Sequence, residues 1–203
     1  MPQVDPNAGL LPVLVEHASM INEMDDAVNQ QYMFGESGTT SWVSPWQPTE
    51  MLVVDRAIAL GQISQHDTVL DLGCGDGRVL LRMASMTHCQ TLGWDCAVEA
   101  VNCAERLSIA SNLSSRCRFD VVDFTLPLSE ENRQRLSSCT VVFVYLVHYG
   151  LEKIKPLLAD LLAAGNPNVR LVTNTYHFPE DFGWKVIRRD DQDVIRILQP
   201  NHY

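Results

Sequence analysis

Apolar positions along this chain switch repeatedly between two patterns. Short runs rich in Val, Leu, Ile, Cys and Phe occur at residues 68–72, 89–94, 117–122, 140–147 and 169–173. Such runs, short and without strict polar alternation, predict strands, and the unbroken 140–147 run predicts one covered on both faces. Between them the apolar positions take helical spacing. Val79, Leu80, Leu81 and Met83 follow the first run, and Val98, Val101 and Leu107 follow the second. A short helix is expected at 132–136. Leu151, Ile154, Leu157, Leu158, Leu161 and Leu162 mark another, with Gly165 as its stop. Two helices precede the first strand. Residues 10–31 carry a partial stripe of Val13, Val15, Met20, Ile21, Met24 and Val28, and residues 50–60 carry Leu52, Val53, Ala57, Ile58 and Leu60. Thr49 is the expected N-cap of the latter and Gly61 its stop. Trp184 to Arg189 and Val194 to Leu198 flank Asp190-Asp191-Gln192-Asp193 and predict a hairpin.

Strand and helix in alternation imply an α/β fold, a parallel sheet with helices on both faces, and the terminal hairpin adds antiparallel strands at one edge. The 203 residues suffice for one domain with a sizeable core. The expected organisation is an N-terminal helical extension over residues 1–40 and a single domain over 41–203.

The strand–helix junction that carries most chemistry is the first. Thr68-Val69-Leu70-Asp71-Leu72 runs into Gly73-Cys74-Gly75-Asp76-Gly77-Arg78. Three glycines remove the Cβ where the chain bends and a ligand approaches the backbone, and Asp76 suits the cap of the next helix. A strand, a glycine turn and a helix N-terminus together make a nucleotide site. The dinucleotide fingerprint G-x-G-x-x-G is not matched; the spacing here is G-x-G-x-G, with Asp71 two residues before the first glycine. A pyrophosphate needs no carboxylate beside it. S-adenosylmethionine, which carries an ammonium and a sulfonium, suits one.

Ligands of open parallel sheets sit beyond the carboxyl ends of the strands. Asp71 with Gly73, Cys74, Gly75, Asp76 and Gly77 occupies the first strand tip. Asp95, followed by Cys96, ends the second, about 20 residues on, where an acid takes ribose hydroxyls. Asp95 equally suits a helix N-cap. Asp123, followed by Phe124, ends the third and equally suits a turn before Pro127. Tyr145-Leu146-Val147-His148-Tyr149 forms the fourth tip.

The run Asp71-Leu72-Gly73-Cys74-Gly75-Asp76-Gly77 resembles motif I of the class I S-adenosylmethionine-dependent methyltransferases. That resemblance implies a Rossmann-like, doubly wound sheet of seven strands in the order 3-2-1-4-5-7-6, its last strand antiparallel. It implies S-adenosylmethionine as cofactor, with adenine held at Asp123 or Phe124. The fourth tip lacks [Asn/Asp]-Pro-Pro-[Tyr/Phe], found in many amino-methylating nucleic-acid and glutamine enzymes. Trp42-Val43-Ser44-Pro45, Pro48-Thr49-Glu50, the Tyr145-Leu146 tip and Leu151-Glu152-Lys153-Ile154-Lys155-Pro156-Leu157-Leu158 are similar to another group. These are the small lysine methyltransferases of the ATP synthase c-subunit and the adenine nucleotide translocator, with their microbial relatives. The likeness spans residues 42–185. It departs at Cys74, where those enzymes carry Ser, and no membrane-anchoring segment precedes the domain. It implies methyl transfer to an amine, with protein lysine first. A small-molecule N- or O-methyltransferase and a cofactor-binding scaffold without turnover are the alternatives.

Charge sharpens the choice of partner. A net charge of −10 argues against nucleic acid, which needs a basic footprint, and is compatible with a lysine-bearing protein. The aromatics near the expected mouth are Trp42, Trp46, Tyr145, Tyr149, Tyr176 and Phe178. Tyr145 and His148 are the candidate catalytic residues, and Trp42, Trp46, Tyr149 and Tyr176 the candidate acceptor-binding ones. The six cysteines form no C-x-x-C pair and the histidines no ligand spacing, so no metal site is expected. Cysteine usage suits a reducing compartment. The N-terminus lacks a basic region and no apolar run nears the roughly 20 residues of a membrane span. A cytoplasmic location follows, with a mitochondrial one implied by resemblance alone.

Overall fold

A computed structural model of the chain describes residues 10–34, 43–163, 168–179 and 182–201. Among these, β1 (Thr68–Leu72), β2 (Gln90–Asp95), β3 (Cys117–Val121), β4 (Val141–Val144), β5 (Arg170–Asn174), β6 (Trp184–Arg189) and β7 (Ile195–Pro200) form one sheet. Its order is β3-β2-β1-β4-β5-β7-β6. The first five strands pair in parallel; β7 runs antiparallel to both β5 and β6. The sheet therefore has the topology the resemblance implied.

The helices are α1 (Leu10–Glu16), α2 (Ala18–Phe34), α3 (Met51–Gly61), α4 (Arg78–Thr87), α5 (Val98–Ala110), α6 (Glu130–Ser138), α7 (His148–Lys153) and α8 (Lys155–Ala163). They cover both faces, and strand alternation divides the core accordingly. Val69, Val141 and Phe143 join Met24, Val28, Val54, Leu80 and Leu107 in one buried cluster. Leu70, Leu72, Val142 and Val144 join Leu136, Leu151, Leu158 and Leu161 in the other. Burial on both sides is why β4 reads as an unbroken apolar run. Leu14, Ile21, Met24 and Val28 of the N-terminal helices lie in the first of these clusters, so the N-terminal segment shares the sheet's core.

Several local expectations are corrected. The 10–31 helix divides at His17, whose Nδ1 lies 2.9 Å from the Val13 carbonyl. Glu50, not Thr49, is the N-cap of α3, and Thr49 is buried. Gly61 is the last helical residue; Gln62 takes the left-handed conformation beyond it. Arg170 donates to the Gly61 carbonyl and Arg188 to Leu60, so tertiary cations satisfy carbonyls at the helix end. Ser129 caps α6 through Asn132 N–H, starting it earlier than its sparse apolar pattern shows. The 140–147 run leaves strand conformation after Val144, and the leucine-rich helix divides at Ile154 into α7 and α8. Gly165 lies outside the described residues. No helix among the described residues is long and apolar enough to cross a membrane.

Candidate cofactor and acceptor site

Alternation along β1 places residue 71 on the same face as Val69, inside a core cluster. The chain puts an acid there. Asp71 is 3% exposed, and no hydrogen bond or ion pair reaches its carboxylate among the described residues. Burial raises its pKa well above the ordinary carboxylate value, and the nearby Asp95 and Asp76 raise it further. A buried carboxylate without a donor is costly, and a cationic ligand removes that cost. The donor chemistry therefore fits a ligand carrying an ammonium or a sulfonium.

The turn after β1 is shaped to bring backbone to that ligand. Gly73, Gly75 and Gly77 have φ of 84°, 53° and 76°, a region open to glycine and strained for other residues. Trp94 anchors the turn by accepting Gly73 N–H at 2.8 Å and Cys74 N–H at 3.1 Å. Gly77 has a packing role, since a Cβ there would stand 2.7 Å from Phe119 Cζ and 2.9 Å from Ala104 Cβ. Asp76 and Arg78 form a fork: the carboxylate accepts Arg78 Nη2 at 2.6 Å, Nε at 2.9 Å and the backbone N–H at 3.1 Å. Asp76 thus holds the start of α4 from one position before its N-cap, Gly77.

Asp95 is not the N-cap of α5, which is Ala97 without a side-chain cap bond; the Asp95 carboxylate instead ties the glycine turn to the start of that helix. One oxygen accepts Ala97 N–H at 3.0 Å, and the other accepts Gly75 N–H at 2.9 Å. Burial raises its pKa, opposed by the N–H groups of Ala97, Gly75 and Cys96. Cys96 is pushed up to about 12 by burial, then by Asp95 and Asp123, and stays a neutral thiol. At the third tip the Asp123 carboxylate accepts Thr125 N–H at 3.0 Å and Thr125 Oγ1–H at 2.6 Å, the turn geometry, while Phe124 lines the cavity.

One cavity gathers many of these groups, though Gly75, Gly77 and Asp123 are not among its lining residues. Asp71, Gly73, Cys74, Asp76, Asp95, Cys96, Phe124 and Tyr145 line it, and Trp46 forms part of its wall. Val28 of α2 and the segment 43–49 complete it. Sequence reasoning missed Val28 and gave Thr49 only a capping role. Helical periodicity marks Val28 as apolar but carries no signal of what α2 packs against.

At the β4 tip, Tyr145 and Tyr176 are near-parallel with ring centroids 6.4 Å apart, and His148 meets Tyr176 edge-on at 5.3 Å. Tyr176 is held by a tight turn. Its N–H donates to Asn174 O at 2.6 Å around Thr175, whose φ is 62°, and Thr175 N–H donates to Val194 O at 2.7 Å. His177 braces the same turn, with Nε2 at 2.8 Å from the Asp193 carbonyl and Nδ1 at 2.7 Å from Thr173 Oγ1. The carbonyl requires Nε2–H, so in the neutral ring Nδ1 accepts from the threonine. Burial lowers the His177 pKa. No sequence pattern had pointed to His177.

Not every candidate joins the mouth. Tyr149 is 60% exposed, with Lys153 Nζ 5.2 Å from its ring centroid. Phe178 is buried and stacks on Phe182 at 4.2 Å, a core contact. Trp42 lies outside the described residues.

Comparison with known proteins agrees with this geometry. A family described as a methyltransferase domain matches residues 63–190. The chain is 30% identical over 161 residues to a protein-lysine N-methyltransferase of Saccharolobus islandicus, covering 77% of this chain and 87% of that one. It is also 30% identical over 175 residues to norajmaline N-methyltransferase of Rauvolfia serpentina, covering 83% of this chain but 58% of the relative. Among solved structures, an RNA methyltransferase from Salinibacter ruber bound to S-adenosylhomocysteine superposes with TM-score 0.63 at 24% identity, covering 77% and 96% of the two chains. An S-adenosylmethionine-dependent methyltransferase from Thiobacillus denitrificans, also with S-adenosylhomocysteine, gives 0.57 at 14%, covering 83% and 72%. With the sheet order, the glycine turn and the buried acid beside it, these matches place the chain in the class I S-adenosylmethionine-dependent methyltransferases.

Proposed function

We propose that this methyltransferase acts on an amine, and that the amine is the side chain of a protein lysine. The observation that carries the reading is the aromatic cluster of Tyr145, Tyr176 and His148 at the β4 tip, with Tyr145 also lining the cofactor cavity. The bound cofactor supplies a methyl group already activated on a sulfonium. The chain's own task is to orient the nucleophile in line with that methyl and to keep water out. A lysine must first lose a proton, since its ordinary pKa is about 10.4. An aromatic mouth favours the neutral amine by desolvation, and its ring faces tolerate the methylated ammonium that forms. In this reading His148 receives the proton and Tyr145 orients the nitrogen. The net charge of −10 favours a cationic protein partner over nucleic acid. Both curated relatives are N-methyltransferases by name, one of them a protein-lysine enzyme. The six free cysteines suit a reducing compartment such as the cytoplasm.

The norajmaline enzyme favours a second reading, in which the amine belongs to a small molecule. Incubation with labelled cofactor and a lysate from cells lacking the protein separates the two. A labelled protein band that disappears when lysines are blocked is the expected result. Label confined to small-molecule extract moves the assignment to the second reading. Binding of S-adenosylhomocysteine without any label transfer makes the chain a scaffold.

A further inference from the structure

We infer that Asn29, in the N-terminal helix α2, is a positioning residue for the cofactor site, acting through Trp46. The inference rests on the cofactor assignment and is independent of the acceptor.

The segment 43–49 crosses the cavity between the β4 side and the glycine turn. At one end, a Cβ placed on Gly150 would stand 3.0 Å from the Val43 carbonyl. At the other, a Cβ placed on Gly75 would stand 2.6 Å from Trp46 Cδ1, with Nε1 closer still. The indole edge therefore lies directly on the glycine backbone. The Arg78 guanidinium lies 5.5 Å from the centre of the same ring, and Asp76 holds that guanidinium by its fork. Asp76, Arg78, Trp46 and Gly75 thus form one continuous stack at the cavity wall.

An indole on a strap between helices stays in place only if the strap backbone is fixed. Asn29 supplies that restraint. Its Oδ1 accepts Trp46 N–H at 3.0 Å, and its Nδ2 approaches the Trp46 carbonyl at 3.5 Å. Nδ2 also donates to the Asp25 carboxylate one helical turn earlier, which fixes the orientation of the amide. Both polar groups of the Trp46 backbone thereby face one side chain, in the manner of a strand partner. Val28, the preceding residue of α2, lines the cavity itself. The N-terminal helix is thus built into the wall of the cofactor site.

The test is a double-mutant cycle read by calorimetric binding of S-adenosylhomocysteine. Asn29→Ala is expected to weaken binding about tenfold, mainly through faster release, while circular dichroism and the melting temperature of the free protein stay near those of the parent. Trp46→Leu is expected to weaken binding at least as much. Combining the two is expected to add nothing, because the asparagine acts through the indole. Unchanged affinity and release rate in Asn29→Ala overturn the inference. So do fully additive losses, which would make Asn29 a general support of α2. A parent protein that binds no S-adenosylhomocysteine would instead refute the cofactor assignment.

Discussion

The Asp95 carboxylate accepts the backbone N–H of Gly75 at 2.9 Å, tying the tip of β2 to the glycine turn after β1. Its other oxygen starts α5 through Ala97. One side chain thus sets the turn and places an acid in the cavity wall. Asp95→Ala is expected to weaken S-adenosylhomocysteine binding by about a hundredfold, since it removes a charge-assisted acceptor and loosens the turn. The free protein should lose about 1–3 kcal/mol by denaturant melting, the usual net worth of backbone hydrogen bonds to a carboxylate. Calorimetry on the variant checks the first figure, and near-parental affinity would contradict the role.

Asp71 gives the site a pH dependence of definite sign. Its folded-state pKa is raised, so its contribution to stability is fully present below the ordinary value of 3.8 and is lost as pH rises through the raised value. If Asp71 holds the cofactor's ammonium it would do so in its ionised form, so binding is expected to expel a proton and affinity to rise with pH across that interval. Asp71→Asn should abolish this rise and weaken binding about tenfold or more at neutral pH. In the same variant the ligand-free protein should melt no lower than the parent at neutral pH, because a buried acidic group is replaced by a neutral amide of the same shape. A pH-independent parent affinity would contradict the assignment.

Tyr176 stacks near Tyr145 at the β4 tip and is not among the residues lining the cavity beside the glycine turn, as the proposed acceptor role requires. Tyr176→Ala should raise the acceptor KM about tenfold and leave S-adenosylhomocysteine affinity unchanged. Tyr176→Phe keeps the ring face and should recover most of the loss. Equal loss of cofactor affinity would move Tyr176 out of the acceptor role.

Arg82 is 2% exposed and donates to Asp55 through Nε at 2.8 Å and Nη2 at 2.9 Å, joining α4 to α3. Asp55 holds the guanidinium in its charged form against the opposing cost of burial. Arg82→Ala should destabilise the fold by about 3 kcal/mol in urea melts, because it leaves Asp55 unpaired as well as a gap. Arg82→Met combined with Asp55→Leu should recover much of that. A single-variant cost under about 1 kcal/mol would show the pair to be solvated.

Much of this molecule is legible before folding because its signals are local. The apolar run at β4 is continuous because both sheet faces are covered, and that pattern is written in consecutive residues. The three glycines and Asp71 lie within seven residues, so one peptide carries most of the cofactor turn. Element ends were less legible. Gln62 stands where a glycine stop was expected, and Arg188, distant in sequence, reaches its side chain and the Leu60 carbonyl. Ser129 starts α6 where apolar spacing is too sparse to show a helix.

The sequence by itself determined the α/β alternation, the sheet class, the left-handed glycine turn and the placement of an acid at three strand tips. These depend on side-chain period and on backbone freedom, which neighbouring residues fix. Only the tertiary structure decided which acids line the cavity. It buried Asp71 with no hydrogen-bond partner among the described residues, set Asp95 on Gly75, and brought Asp123 to Thr125. It also brought Asn29 and Trp46 to the glycine turn, and Tyr176 to Tyr145 across the strand tips. Those pairings arise when helices and strands dock on a shared core, and no local period encodes a contact between residues so far apart along the chain.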